Sequence, residues 1–388
     1  MTLFVVTAIL CVGIVLWMAG GIQSPKTLTD PPRSSSSANA GAPTAADTNT
    51  NTNTNTNTST DADAERRTIV TWNIAWGYGW GSEGSGGRLE PEHFARSIEA
   101  MAAFLRSVNA DIVLLQEVDF DSTRSGHVDQ LASLSEKTGL MYSARAVSWQ
   151  ANWVPFPYWP PSNHFGAMSS GGAVLSRYPI TSNEVTLLPK PAKNPFWYNL
   201  FYLFRYVQRV EVSSGQHTIR IYNAHLEAFD LGNRERQAVV LSERVRKESM
   251  GYTILGGDFN SVPPEATVRS GYPDEPETNH EADTTIATLR QAGLNDTMPE
   301  TLGGPGHHPS DEEAYFTFPS HQPNRKLDYV LASPSFEVVS ARVGREAGKV
   351  SDHLPLVVEL RLRPLTPPHT GTPPQSRGDA ASHGTRVP

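Results

Sequence analysis

Across 388 residues the chain has a single cysteine, Cys11, and it lies in an apolar stretch at the N-terminus. The rest of the protein therefore has no intrachain disulfide, no thiolate nucleophile and no cysteine-based zinc site. No HExxH is present, which removes the usual zinc-protease signature. A basic excess is also missing. The formal net charge is -8, whereas a dedicated nucleic-acid binder normally carries a positive surplus. Large apolar residues are scarce in two stretches. One is the Asn/Thr/Ala/Ser-rich segment 24–65, with its alternating Asn-Thr run; the other is the Pro/Thr/Gly-rich tail 363–388. Neither can bury enough surface to offset chain entropy, so both are expected to be disordered. As a free coil the linker would span ~35 Å.

Charge is absent altogether from Leu3 to Ile22, where nearly every residue is apolar. About 20 such residues match a bilayer core, so residues 1–23 read as a transmembrane signal anchor or as a signal peptide cut near Ala19-Gly20-Gly21. Lys26 and Arg33 would favour a cytoplasmic flank, whereas the polar linker is typical of an exported stalk. The expectation is a membrane-anchored protein with an extracytoplasmic domain, or a secreted one if the segment is cleaved.

Residues 66–362 hold what can fold. Short β-type runs are expected at Thr68–Ile74, Asp111–Glu117, Met141–Ala146, Gly172–Ser176, Val207–Val212, Thr218–Ala224, Thr253–Gly256, Leu327–Leu331, Phe336–Arg342 and Leu356–Leu362. Helices are expected from Pro91 to Val108, with Phe94, Ile98, Met101 and Leu105 on one face, and over Val128–Thr138 and Asn233–Glu248. Several strands follow one another directly, which favours a mixed sheet or two packed sheets over a simple parallel one. Two aromatic stretches stand out, Trp149–Phe165 and Pro195–Tyr206. Prolines argue against regular structure in the first, and the second suits a short helix.

Polar residues recur where the apolar strands end: Asn73, Glu117, His225, Asp258 with Asn260, Asp328, and the pair Asp352-His353. Each alone reads as a turn, a cap or a satisfied histidine. Together, carboxylates, amides and histidines can converge at one sheet edge, and their oxygens suit a hard cation such as Mg²⁺.

The segments TWNIAW (71–76), LLQEVD (114–119), GGAVLSRYPI (171–180), NAHLEA (223–228), GGDFNS (256–261), TFPS (317–320), KLDYVLAS (326–333) and SDHLPLVVEL (351–360) resemble the endonuclease/exonuclease/phosphatase superfamily. That resemblance implies an α/β fold, a four-layer αββα sandwich of two packed mixed β-sheets flanked by helices. It implies a divalent-metal-dependent phosphoester hydrolase using Mg²⁺, with Mn²⁺ as a substitute. Glu117 and Asp352 would then be metal ligands, and Asn73 and Asn260 would bind phosphate. His353 would face the scissile phosphate, oriented by Asp328. Asp258 would polarise the attacking water or assist the leaving group, and His225 would join the catalytic set. His225 resembles the deoxyribonuclease and sphingomyelinase branches rather than the abasic-site endonucleases. Arg177 reads as a structural salt bridge, Asn233 as an N-cap, and Arg234, Arg236 and Gln237 as solvated helix residues.

Substrate stays open at this level. A lipid or small phosphodiester suits the aromatic stretches and a possible membrane surface. The alternatives are a tethered or secreted nuclease, and a non-catalytic module that binds a phosphorylated ligand. A monomer is expected.

Overall fold

Successive strand residues face opposite sides of a sheet, and β3 (Arg66–Asn73) follows that rule. Ile69 packs into a core between two sheets, while Val70 and Trp72 pack into a second core beneath helices. The next strand, β4 (Ile112–Asp119), repeats this, with Ile112 and Leu114 on the first side and Val113 and Leu115 on the second. Hydrophobic residues on both faces of a strand require cover on both faces, and this computed structural model supplies it in four layers. It describes residues 2–21, 23–34, 66–79, 89–298 and 312–365.

One seven-stranded sheet runs β13 (Phe336–Val343), β14 (Leu356–Leu362), β3, β4, β6 (Gly166–Ser176), β5 (Tyr142–Val154), β2 (Arg33–Ser34). The other runs β1 (Thr27–Thr29), β7 (Ile180–Leu187), β8 (Tyr206–Ser214), β9 (His217–His225), β10 (Tyr252–Asp258), β12 (Asp328–Ala332), β11 (Asn295–Asp296). Both are mixed: β3 pairs with β4, and β9 with β10, in parallel, and the other pairs are antiparallel. Outside the first sheet lie α2 (Pro91–Ser107) and α3 (Gln130–Thr138), seated through Ile98, Met101, Leu105, Leu131 and Leu134. Outside the second lie α5 (Leu231–Arg246) and α6 (Thr285–Arg290), seated through Ala238, Leu241, Val245, Ile286 and Leu289. Each such fully buried Leu, Ile, Met or Val side chain contributes about 1.5–3 kcal/mol of transfer free energy. The expected sandwich is the observed fold.

Towards the site the apolar filling between the sheets gives way to amides. Gln116 donates to Asn223 Oδ1 (2.8 Å), Asn223 to Gln208 Oε1 (3.1 Å) and Gln208 to Asn183 Oδ1 (3.0 Å), all four residues being buried. Asn223 also donates to the carbonyls of Leu115 and Ala173, so this chain pins the sheets to each other in one register.

Several expectations are corrected. The strand expected at Met141–Ala146 continues to Val154, because the prolines that would break it begin only at Pro155. Strand β7 was not foreseen; its sequence, ITSNEVTL, is polar because Thr181 is exposed, Ser182 and Glu184 are half-buried, and Asn183 belongs to the buried amide chain. The N-cap of α5 is Asp230, whose carboxylate accepts from Asn233 N, so Asn233 lies inside the helix. Arg234 and Gln237 are buried rather than solvated, and Arg234 forms a fully enclosed ion pair with Asp283 (2.8 Å). Arg177 does hold Asp111 at 2.8 Å, as expected.

The N-terminal segment forms a helix. Its helix, α1 (Thr2–Met18), has 17 residues, and no described helix is long and apolar enough to cross a membrane. The linker does not begin as a free coil either, since β1 and β2 pair with β7 and β5 at the edges of the two sheets. The remainder of that linker, 35–65, and the tail from 366 lie outside the described residues.

Candidate active site

Strand register builds one wall of the site. On three neighbouring strands, His225 of β9, Asp258 of β10 and Asp328 of β12 stand side by side as register partners. Asp258 can sit there because Gly257 precedes it at φ 143°; a Cβ on Gly257 would lie 1.8 Å from the Ala224 carbonyl oxygen. The facing sheet contributes Asn73 from the end of β3 and Glu117 from a β-bulge in β4 between Leu115 and Val118. Glu117 has φ 54°, a left-handed conformation that costs energy for a non-glycine residue and that turns its carboxylate into the cleft. Asn260, just past β10, is also left-handed at φ 50°. Asp352 and His353 arrive on the loop before β14. Ser351 Oγ anchors that loop on the Asn73 carbonyl (2.7 Å), and the His353 carbonyl accepts from Trp72 Nε1 (3.0 Å).

All eight residues singled out from the sequence line or support this single centre. His353 Nδ1 and Asp328 Oδ2 are 2.8 Å apart and His353 Nε2 is 3.7 Å from Asp258 Oδ2. Asn73 Nδ2 donates to Asp258 Oδ2 (3.0 Å) and Glu117 Oε1 (3.3 Å), tying the two sheets' carboxylates together. Its amide thus bridges carboxylates. Asn260 Nδ2 donates to the Leu226 carbonyl (3.1 Å).

The two histidines have opposite character. Burial alone would depress His353, but the carboxylates of Asp328, Asp258 and Asp352 outweigh it and push its pKa up to about 10. Burial and the neighbouring charges of Arg205 and His353 hold His225 well below its ordinary value. Its Nε2 accepts from Arg205 Nη1, so the ring is neutral. Burial raises Asp258 to about 7 and also raises Asp352, which Glu117 lifts further.

Sequence reasoning missed two buried groups here, Arg205 and Glu227, and the half-buried Tyr202. Arg205 immediately precedes β8, behind the aromatic stretch, and projects into the cleft, with Glu227 Oε2 4.0 Å from its Nε. Tyr202 donates to Glu227 Oε1 (2.6 Å). Glu227 lay in plain view within NAHLEA, but its burial could not be read from a loop position.

The donor set fits a cation. Glu117, Asp258, Asp328 and Asp352 crowd four carboxylates against two positive groups, His353 and Arg205, and the buried Asp328 Oδ1 has no hydrogen-bond partner. One oxygen or nitrogen each from Asp258, Asp328 and His353 come within 4.8 Å of one another and could hold an ion. The 2.8 Å His353–Asp328 contact already occupies that pair, which leaves the half-exposed Glu117 and adjacent Asp352 as the more accessible oxygen ligands.

Above this floor opens a cleft of about 730 Å³. Its walls are aromatic: Trp76, Trp149 and Phe165 surround Arg124, whose guanidinium lies 4.4–5.4 Å from the three ring centroids. Arg124 is held by both Asp119 oxygens at 2.9 Å.

A sequence profile of the Endonuclease/Exonuclease/phosphatase family matches residues 70–353, more than half the chain. The chain belongs to this family. It is thereby a hydrolase of phosphoester bonds. No curated protein sequence matches it. Among solved structures, an endonuclease/exonuclease/phosphatase from Beutenbergia cavernae is similar at 23% identity and TM-score 0.55, covering 78% of this chain and 72% of that one. A family protein from Bacteroides thetaiotaomicron is similar at 16% identity and TM-score 0.50, covering 76% and 94%. At these identities the likeness is one of fold.

Proposed function

We propose that the chain is a Mg²⁺-dependent phosphodiesterase acting on a lipid or other small phosphodiester. The observation that carries this is the pairing of a protonated histidine, His353, with a buried carboxylate near neutrality, Asp258, at 3.7 Å. Glu117 and Asp352 would hold the Mg²⁺, with Mn²⁺ as a substitute, and the ion when bound supplies neutralisation of the phosphate oxygens.

The chain's own groups divide the remaining work. Asp258, whose pKa lies near the working pH, takes the proton of the attacking water as its oxygen bonds to phosphorus. His353 Nε2–H donates to the departing oxygen as the ester bond breaks. Asp328 on Nδ1 fixes the tautomer and stabilises the imidazolium. Asn260 and the guanidinium of Arg205, held by His225 and Glu227, bind the non-bridging oxygens without reorganising. Asn73 acts as a positioning residue, keeping Asp258 and Glu117 at a fixed separation.

A diester of lipid type is favoured over nucleic acid by what surrounds the cleft. Among the described residues, the arginines that line it, Arg124, Arg205 and Arg325, are each matched by a carboxylate, respectively Asp119, Glu227 and the Asp274–Glu275 pair. They form no free basic track for a phosphate backbone.

The test is turnover by the purified full chain of phosphatidylcholine vesicles, plasmid DNA and bis(p-nitrophenyl) phosphate, with Mg²⁺ or chelator, and with His353→Ala beside it. Metal-dependent cleavage of the lipid and the small diester, lost in the variant, is expected. Preferred cleavage of DNA would move the assignment to a nuclease. A folded protein that binds metal but turns over nothing would make it a phospho-ligand binding module.

A further inference from the structure

Two apolar features that the catalytic chemistry does not use meet on one strand. The first is α1, which has no charged residue and exposes Ile9, Leu10, Val12, Ile14 and Trp17. A helix apolar on all sides has no polar face to turn towards water. The second is the rim of the cleft. At the tip of the β5–β6 hairpin Phe156, Tyr158 and Trp159 are exposed, and beside them α4 (Phe196–Phe201) exposes Phe196 and Trp197. Trp159 and Phe196 are each 80% exposed and lie just outside the cleft lining.

The connection between them is short and tied. Asn152 Nδ2 donates to the Trp17 carbonyl (2.8 Å) and Gln23 Nε2 to the Gln150 carbonyl (2.9 Å). The C-terminal end of α1 is thus fixed to β5 immediately before Trp153 and the aromatic tip. After it, β1 and β2 fasten the chain to β7 and β5. The helix is held against the catalytic domain at the hairpin that forms the cleft's mouth, instead of trailing on a long tether.

We propose that α1 and the aromatic rim form one membrane-docking face, which seats the mouth of the cleft on the bilayer interface and makes the headgroup phosphodiester of a membrane lipid the substrate. This rests on the phosphodiesterase reading and deepens it. Three things on the molecule select a bilayer as the occupant. The helix has no polar side, so only an apolar medium covers it. The rim is rich in Trp and Tyr, whose apolar bodies and polar tips suit the headgroup region. Both surfaces are tied to β5, the end of α1 at Gln150 and Asn152 and the aromatic tip from Trp153 onward, so one apolar medium can reach both. The docking requires no crossing of the membrane: α1, about 25 Å long, needs only to sink its apolar sides into the hydrocarbon beside the rim.

The experiment is flotation of the full chain with phosphatidylcholine vesicles, alongside turnover of soluble bis(p-nitrophenyl) phosphate. Variants are Trp159→Ala/Phe196→Ala in the rim and Leu10→Glu/Ile14→Glu in the helix, together and apart. Each pair is expected to weaken vesicle partition by about tenfold or more, from lost interfacial burial, with soluble turnover unchanged. Partition unaffected by the rim pair, or no partition of the unaltered chain, would overturn the docking while soluble turnover kept the enzyme reading intact. Vesicle binding without turnover of any diester would sink the enzyme reading and leave the docking standing. Loss of single-stranded DNA binding in the rim pair, with vesicles ignored, would reassign the rim to base stacking and overturn the proposal.

Discussion

The floor of the cleft and its rim are built on different principles. The floor is polar and enclosed: Asp258, Asp328, His225 and His353 are all buried, and each is held by a partner on a neighbouring strand or loop. The rim is apolar and open, and its outermost rings contact little of the protein. Strand register aligns the floor to within a hydrogen bond, which is what a reaction at one phosphorus atom requires. The rim needs only to present apolar area, so it can stand on a hairpin tip and a helix of six residues. Lys190 steadies that helix by donating to the Asn199 carbonyl (2.6 Å), and burial brings its pKa down to about 8.

The comparison is sharpest where the floor is broken. His353→Ala removes a proton donor and a positive charge together, and should lower turnover of a soluble diester by about 10²–10⁴. Chelation of the metal should do at least as much. Steady-state kinetics on bis(p-nitrophenyl) phosphate checks both, and an equal loss on vesicles should accompany each. A His353→Ala protein that kept most of its activity would show that the floor's geometry has been misassigned.

The next effect lies beneath the floor. Arg234→Met would strand Asp283 in the interior without its 2.8 Å partner, at a cost of about 3–5 kcal/mol. It would also release the Glu227 and Ala228 carbonyls that Arg234 holds beside His225. Thermal or urea unfolding should show the loss, and Arg234→Met/Asp283→Asn should recover part of it. No change in stability would mean that the enclosed pair is solvated in solution.

How much of this was open to reading from the sequence follows the same division. The floor was legible because apolar strands stop abruptly at polar residues: the runs before His225, Asp258 and the Gln116-Glu117 pair each carry that signature, and GGDFNS and SDHLPL add specific neighbours. Arg205 was not, because it sits just before β8 in an aromatic stretch, and an arginine there looks like any surface cation. Arg234 was misread for a related reason. Its helix is charged on most faces, and nothing in one dimension says that Asp283, from a distant loop, comes to meet it. The rim was visible only as composition. That Trp149 and Phe165 pack around Arg124 while Trp159 faces solvent is decided by how far the β5–β6 hairpin extends, which depends on tertiary pairing.

A smaller effect links floor chemistry to stability. Asp258 has its pKa raised to about 7 by burial, above its unfolded value near 3.8. A raised carboxylate destabilises the fold once it must ionise inside. The penalty is absent below the unfolded value, grows as pH rises between the two, and is complete above the folded value. In metal-free protein, Asp258→Asn should therefore raise Tm, by more at pH 8 than at pH 5, while abolishing turnover. Calorimetry at the two pH values checks the sign. An equal gain at the two pH values would mean that Asp258 is already ionised at pH 5 in the folded state.

The smallest expected effect completes the contrast. Trp159→Ala alters a ring that is 80% exposed, so it leaves no cavity and unpairs no hydrogen bond. Its change in stability should stay within about ±0.5 kcal/mol, and turnover of a soluble diester should be unaltered, because the ring lies outside the cleft lining. Only reactions at a surface should register the loss. If soluble turnover falls as well, the hairpin tip and the floor move together, and the two regions are coupled parts of one catalytic unit.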